Sequence, residues 1–255
     1  MTDFQPILLY PVRDAFARKQ FLTASLVALA GMIVPIIPLL ILTGYCARIM
    51  RQIIDQDIDP SMLEWQGSNW GELLKEGTRI SAVRLVYGLP IILFIGCGIV
   101  SMLSSPIFFN STSSGDHNPS APMGAISLIA GIGIFFLAMV VSLPLGIIIG
   151  AAESHTVAKQ SFNAGLRVSE WWPILRNNLG QFVGVYLFTL IAGFVLSIGI
   201  QIATITVVLI CVVPFLMVAY STYLTLVLSA LFAKVYVSGR KALQATTFPE
   251  VKIIK

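Results

Sequence analysis

Hydrophobic and polar residues separate along this chain into blocks much longer than the faces of a soluble helix. Four apolar stretches, residues 21–45, 83–103, 123–152 and 182–233, contain no Lys, Arg, Asp or Glu except Arg84 at the start of the second. A helix needs about 20 apolar residues to cross about 30 Å of hydrocarbon, so the second and third stretches predict one span each and the fourth predicts two. The small and polar cluster Ser197, Gly199, Gln201 and Thr204 is the expected place for the turn inside the fourth.

The first stretch allows two outcomes. Pro35 and Pro38 fall near its middle, and a proline removes a backbone donor and clashes with the preceding turn. Either one kinked span results, or two half-helices, 19–34 and 38–54, dip in and return. Non-helical backbone at membrane depth is tolerated only where protein surrounds it, so a hairpin would have to pack among the other helices. Pro144 and Pro214 are two further candidate helix breaks. The expected fold is an all-α polytopic transmembrane helical bundle, with about 5 spans or about 4 spans plus an N-terminal proline-broken hairpin, and with amphipathic interfacial helices.

This pattern divides a single integral-membrane domain, 1–255, into successive parts. A juxtamembrane segment 1–20 precedes the first helix or hairpin, 21–54. An amphipathic segment 55–82, a span 83–103, a loop 104–122 and a span 123–152 follow. A second amphipathic segment 153–181, two spans within 182–233 and a tail 234–255 complete the chain. Within 69–83, Trp70, Leu73, Leu74, Gly77 and Ile80 share one helical face, Ser68 or Asn69 can cap the start, and the helix is expected to lie on the membrane surface. Ser169 can cap a second helix that enters Trp171, Trp172 and an early Pro173. A charged segment with paired tryptophans between two apolar helices thus occurs twice, an echo that common interfacial design explains as well as duplication does.

Composition agrees with this reading. The 255 residues are 56% hydrophobic and 11% charged, against about 25% charged in soluble domains. The formal charge of +4 does not indicate nucleic acid, because the cations are scattered along membrane-flanking segments and form no basic face. Arg13, Arg18 and Lys19 precede the first stretch. Arg48, Arg51, Lys75, Arg79 and Arg84 lie in 46–84, Lys159, Arg167 and Arg176 in 153–181, five more after 233, and none in 104–122. Cations are retained on the cytoplasmic side. The segments 46–84 and 153–181 and the C-terminus are therefore expected in the cytoplasm and 104–122 outside, in a multi-pass protein of the cell inner (plasma) membrane. The first apolar run is too long for a signal-peptide core and lacks an Ala-x-Ala site, so it is expected to be retained.

Candidate chemistry is sparse. Trp65, Trp70, Trp171 and Trp172, all the tryptophans of the chain, are expected to share one membrane interface as anchors. Asp55, Asp57 and Asp59 begin like a calcium loop, but the glycine at the sixth position and the glutamate at the twelfth are missing, so they read as a solvated turn ended by Pro60. Glu153 and His155 are too close in sequence to face one another on a helix, and read as solvated side chains at a helix end. Cys46, Cys97 and Cys211 predict neither disulfide nor metal site, with Cys46 the least buried. In 104–122, Asn110, Ser111 and Thr112 fit a glycosylation acceptor pattern, and Asp116 and His117 read as solvated. No catalytic, cofactor or metal constellation is present in the sequence, and no cofactor is expected.

The residues Tyr10, Pro11 and Asp14, then Gly44, Tyr45 and Arg48, then Glu64, Trp65, Trp70, Gly71 and Gly77 form a series that resembles the prokaryotic integral-membrane family called domain of unknown function 4013. Leu63 stands where that family usually has proline. The similarity is specific over residues 10–90, and it is local beyond that, in 162–178 and 231–239. The resemblance implies a prokaryotic membrane protein and brings no reaction, substrate or catalytic residue. The leading functional expectation is a non-enzymatic membrane scaffold, with the lipid bilayer and a cytoplasmic protein as partners and no nucleic acid. The alternative is a transporter or permease subunit for a neutral or lipidic solute, suggested by the proline-broken helices. A membrane enzyme is the weakest reading, since Asp55, Asp57, Glu153 and His155 form no recognisable set.

Overall fold

The computed structural model describes residues 5–65, 69–110, 120–205 and 212–247. Among these every regular element is helical: α1 (Gln5–Leu9), a 3-10 turn (Tyr10–Val12), α2 (Ala15–Ala30), α3 (Ile37–Gln56), α4 (Trp70–Asn110), α5 (Ser120–Lys159), α6 (Phe162–Leu166), α7 (Val168–Asn177), α8 (Leu179–Ile205) and α9 (Val213–Thr247). Five segments are long and apolar enough to cross a bilayer: Ile37–Gln56, Trp70–Ser104, Gly124–Lys159, Leu179–Thr204 and Val213–Ala245. The chain is a multi-pass helical membrane protein. It divides into two compact units, Met1–Val83 with Gly150–Lys255, and Arg84–Ile149.

In the first unit α9 is the common partner of α2, α3, α7 and α8. Its buried Leu226, Val227, Ala230, Leu231, Ala233 and Val235 mix bulky and small side chains, so several helices approach it closely. The first apolar stretch is a hairpin. The amide N–H of Trp65 donates to Oε1 of Gln20 on α2 (3.3 Å), and the Trp65 ring stacks on Tyr45 of α3 at a centroid distance of 4.2 Å. Residues 20 and 45 are therefore neighbours, whereas one continuous helix would hold them about 37 Å apart at 1.5 Å per residue. Asp14 caps α2 by accepting from Ala17 N–H (2.7 Å).

The hairpin tip shows how its proline break is tolerated. The N–H groups of Gly31, Met32, Ile33 and Val34 all donate to carbonyls of residues 28–30, Pro35 has none to satisfy, and Pro38 sits in the first turn of α3. Met32, Ile33, Val34, Ile36 and Ile37 are exposed around the tip, Ile33 at 86%. An apolar surface over satisfied N–H groups suits a nonaqueous surrounding.

α3 and α4 cross with backbone against backbone. A Cβ on Gly44 would lie 1.9 Å from Leu73 O, and one on Gly77 would lie 1.8 Å from Leu40 O. The α4 face carrying Leu73, Gly77, Ile80 and Val83 is buried. The amphipathic stretch 69–83 thus buries its apolar face inside the protein, with Leu73 and Gly77 against α3 and Val83 against Gly165 of α6. Trp70 is exposed and does not join that face.

The second unit consists of the remainder of α4 and the first part of α5, running antiparallel. Ser101 and Ser127 each donate to the other's carbonyl (2.8 and 2.6 Å), and Ser104 Oγ lies 2.9 Å from Ser127 Oγ. A Cβ on Gly131 would approach Met102 Cγ to 2.7 Å, and one on Gly98 would approach Phe135 Cδ2 to 2.9 Å. Small residues and hydroxyls hold the pair, while Leu93, Val100, Ile129, Phe136 and Met139 face outward.

Two proline or turn expectations are revised. α5 continues through Pro144, so the break expected there does not occur; Ser142 Oγ donates to Met139 O (2.7 Å) beside the carbonyl that the proline leaves without a donor. α8 runs through Ser197, Gly199, Gln201 and Thr204 to Ile205, and the hydroxyl of Thr204 is satisfied by Gln201 O (2.9 Å), so the reversal does not fall on that cluster. Pro214 is the second residue of α9, where a proline marks a helix start.

Replacing Gly77 by alanine should destabilise the first unit by about 3 kcal/mol or more, because a main-chain carbonyl cannot yield as a side chain can. Gly133→Ala, whose Cβ would meet nothing within 4 Å, should change stability by less than about 0.5 kcal/mol. Thermal unfolding of the two variants in detergent measures both.

Candidate functional site

The polar side chains of the first unit gather where α3, α4, α5, α7 and α9 meet the short connecting segments. Asn69 caps α4: its side chain accepts from Gly71 N–H (3.2 Å), and its carbonyl accepts from Glu72 and Leu73. This orients the first turns of α4 so that Glu72 and Glu76, one turn apart, face Arg48 and Arg51 on α3. Arg48 Nη2 lies 2.9 Å from Glu72 Oε2, and Arg51 Nη1 lies 2.8 Å from Glu76 Oε1. The exposed Arg48–Glu72 pair contributes about 0.5 kcal/mol. Arg51–Glu76 is the more enclosed and contributes more to the register of the crossing.

The motif residues meet at the same junction. Tyr45 Oη donates to Leu63 O (2.8 Å) and accepts from Leu63 N–H (3.1 Å), which fastens the segment after α3 back onto its parent helix. Trp65 lies buried over the Tyr45 ring, with Trp70 tilted beside it at 5.9 Å. Tyr10 is buried close to Cys46, Tyr45 and Tyr223; burial first, and then those neighbours, push its phenol well above its ordinary value. Asp14, Gly44, Tyr45, Arg48, Trp65 and Gly77 thus cap, cross or clasp, and Tyr10 packs in the core.

At the end of α5 the expectation of solvated side chains is overturned. Glu153 and His155 are buried, His155 at 3%, because α7 and α9 close over this end of the helix. His155 Nε2 lies 3.2 Å from Glu170 Oε2, and Nδ1 lies 2.8 Å from Tyr236 Oη. A carboxylate only accepts, so Nε2 carries the proton and Nδ1 accepts from the phenol. Arg167 Nη1 completes the series at 3.1 Å from Glu170 Oε1. The guanidinium first, and the imidazole second, hold the Glu170 carboxyl below its ordinary range. With a donor for every acceptor along it, this series joins α5, α7 and α9. Trp171 supports it: its indole N–H donates to Gly165 O (3.0 Å), and Thr156 Oγ1 sits where a Cβ on Gly165 would have to go.

The acidic turn is exposed, but it is also a clasp. Asp57 ends α3 in a left-handed conformation (φ 53°) and pairs with Lys241; this hydrogen bond lowers its carboxyl below the usual range. Asp59 pairs with Lys234 at 3.3 Å, and Arg240 donates to Ile54 O (3.1 Å). Among the described residues no three His, Cys, Asp or Glu side chains converge as a metal-binding group.

The tryptophans divide by burial. Trp65 and Trp171 are core residues, whereas Trp70 and Trp172 are about half exposed, so only the latter two have surface to offer a headgroup or a partner. Cys46 is buried on the packed face of α3 and Cys97 is exposed, the reverse of the expected order. α7 begins at Val168, so Ser169 is a helical residue and not its cap, and Pro173 lies within the helix. Ser68, Ser111, Thr112, Asp116, His117 and Cys211 lie outside the described residues, as does the side chain of Asn110. Sequence reasoning missed Tyr236, Glu170 and the lysines of α9. The matched spacing of Arg48 and Arg51 with Glu72 and Glu76 was the one pairing it could have found.

A family model described as "Protein of unknown function (DUF4013)" matches residues 27–205. The matched span contains α3, α4, α5, α6, α7 and α8 with their half of the junction, and it begins after Tyr10 and Asp14. No curated protein and no solved structure matches the chain.

Because the folded state lowers the Glu170 carboxyl, the charged pair stabilises the fold above the ordinary glutamate value of 4.5 and is lost as pH falls through the lowered value. The melting temperature of the wild type should therefore drop more steeply on acidification than that of Glu170→Gln. Tyr236→Phe, which leaves the buried Nδ1 of His155 without a donor, should cost about 1–3 kcal/mol at neutral pH in the same thermal measurement.

Proposed function

The chain belongs to this DUF4013 family, and we propose that it is a non-enzymatic membrane scaffold that recruits a cytoplasmic protein partner through the junction face. The observation that carries this reading is how the junction uses its charges. Arg48, Arg51, Glu72, Glu76, Asp57, Asp59, Lys234 and Lys241 are all engaged in pairing one element to another, Glu170 reaches His155 of α5, and Arg167 holds Glu170 from within the same turn. Such a site is built for rigidity, whereas a catalytic set leaves a group free to meet substrate. Trp172, Val168 and Leu179 remain exposed around α7, and Trp70 at the start of α4. Aromatic side chains held on a rigid frame suit a protein interface or a headgroup layer. The proline break that motivates a permease sits at an exposed hairpin tip, which favours the scaffold.

The distribution of Lys and Arg supports a junction face in the cytoplasm and a plasma-membrane location, with the C-terminus inside. Cysteines placed at Arg79, Arg167 and Asp116 should be labelled from outside intact cells at position 116 only; labelling at 79 or 167 would reverse the orientation.

Tagged chain isolated in mild detergent should carry a protein partner in fixed ratio, and Trp70→Ala with Trp172→Ala should release it while the variant still unfolds cooperatively, with a lower melting temperature from the lost contacts to Trp65 and Trp171. Recovery of this chain alone, or retention of the partner by the double variant, would end the recruiting role of this face.

A further inference from the structure

A cavity of about 330 Å³ opens between α1, α8 and α9, lined by Leu8, Gly180, Gln181, Gly184, Val185, Phe188 and Leu231. It lies along the first turns of α8, at the start of the membrane-crossing segment Leu179–Thr204. Its walls are apolar apart from Gln181, whose Oε1 already accepts from Asn178 Nδ2 (3.1 Å). A water here would lack the two to four polar partners it needs. Gly180 and Gly184, one turn apart, leave the floor open, since a Cβ on either would meet nothing within 4 Å. The solvent of this surface is lipid, and the space has the shape and chemistry of a slot for a hydrocarbon chain. Just before it in sequence comes the exposed Arg176, a cation at the start of this membrane-crossing segment that can meet a lipid phosphate, while the amide of Asn178 is spent on Gln181 and Val235 O.

We propose that this groove holds a resident phospholipid, with one acyl chain along Gly180, Gly184 and Phe188 and the phosphate at Arg176. The assignment does not depend on the scaffold reading. A bound lipid there fills the space that α1, α8 and α9 leave open and attaches the α7 end of the junction to the headgroup layer.

Titration of the detergent-purified full chain with phosphatidylglycerol, followed by native mass spectrometry, tests the assignment. The wild type should retain a phosphatidylglycerol molecule that Gly184→Leu retains at least about tenfold less tightly, because the leucine occupies the groove. Gly180→Leu should reproduce this loss. Gly193→Leu adds the same side chain to the same helix outside the groove, also at a position with nothing within 4 Å, and should behave as wild type. Arg176→Gln should weaken retention by about fivefold, the contribution of a single cation near a phosphate. Equal retention by wild type and Gly184→Leu, or by wild type and Arg176→Gln, overturns the assignment. So does a change of oligomeric state in Gly184→Leu with lipid retention unchanged, since the groove would then seat a second copy of the chain.

Discussion

The crossing of α3 over α4 at Gly44 and Gly77 is the contact on which the first unit depends. Backbones approach so closely there that only hydrogen fits at either position, and the two helices have one register. That register places Arg48 and Arg51 opposite Glu72 and Glu76, and it puts Tyr45 within reach of the main chain at Leu63. A crossing spaced by side chains would lengthen these bonds beyond use. Between helices in lipid there is little hydrophobic driving force, so close van der Waals packing with interhelical hydrogen bonds has to supply the association.

The polar junction follows from that constraint. Where helices leave the hydrocarbon, their charged residues need partners or water, and here they have been turned toward one another. Three groups of pairs do this: arginines of α3 with glutamates of α4, aspartates after α3 with lysines of α9, and Arg167–Glu170–His155–Tyr236 across α5, α7 and α9. The exposed pairs are individually weak. Their effect is directional, because all but the local Arg167–Glu170 pair join elements far apart in sequence, 184 residues for Asp57 and Lys241. Where α4 and α5 pair in the second unit, serines and glycines take the part that charges play at the junction, as befits helices whose outer surfaces are apolar nearly all round.

How much was legible can be judged residue by residue. The all-helical membrane class, the division of 182–233 into two spans, a cap at Ser68 or Asn69 and the family all came from the linear pattern, because spans, caps and motifs depend on residues near one another in sequence; the structure assigns the cap to Asn69. The burial of His155 was not legible, since it depends on Tyr236, 81 residues away, and on an α7 whose start the sequence misplaced. Trp65 and Trp70 look equivalent in sequence, yet one is core and the other surface, because only Trp65 meets the Tyr45 ring. The reading of Cys46 failed for the same reason, as the packed face of α3 is defined by α4 and α9.

By itself the sequence determined the solvent of this protein: long charge-free stretches have no stable place except hydrocarbon, and a helix is the form in which a single segment satisfies its own backbone there. The tertiary structure decided the rest. It resolved the proline-interrupted stretch into a hairpin, buried the apolar face of residues 69–83 against α3 and α6, and enclosed an imidazole expected in water. Each of those outcomes depends on which surface arrives opposite, and that is a property of helix pairs which no single stretch of chain encodes.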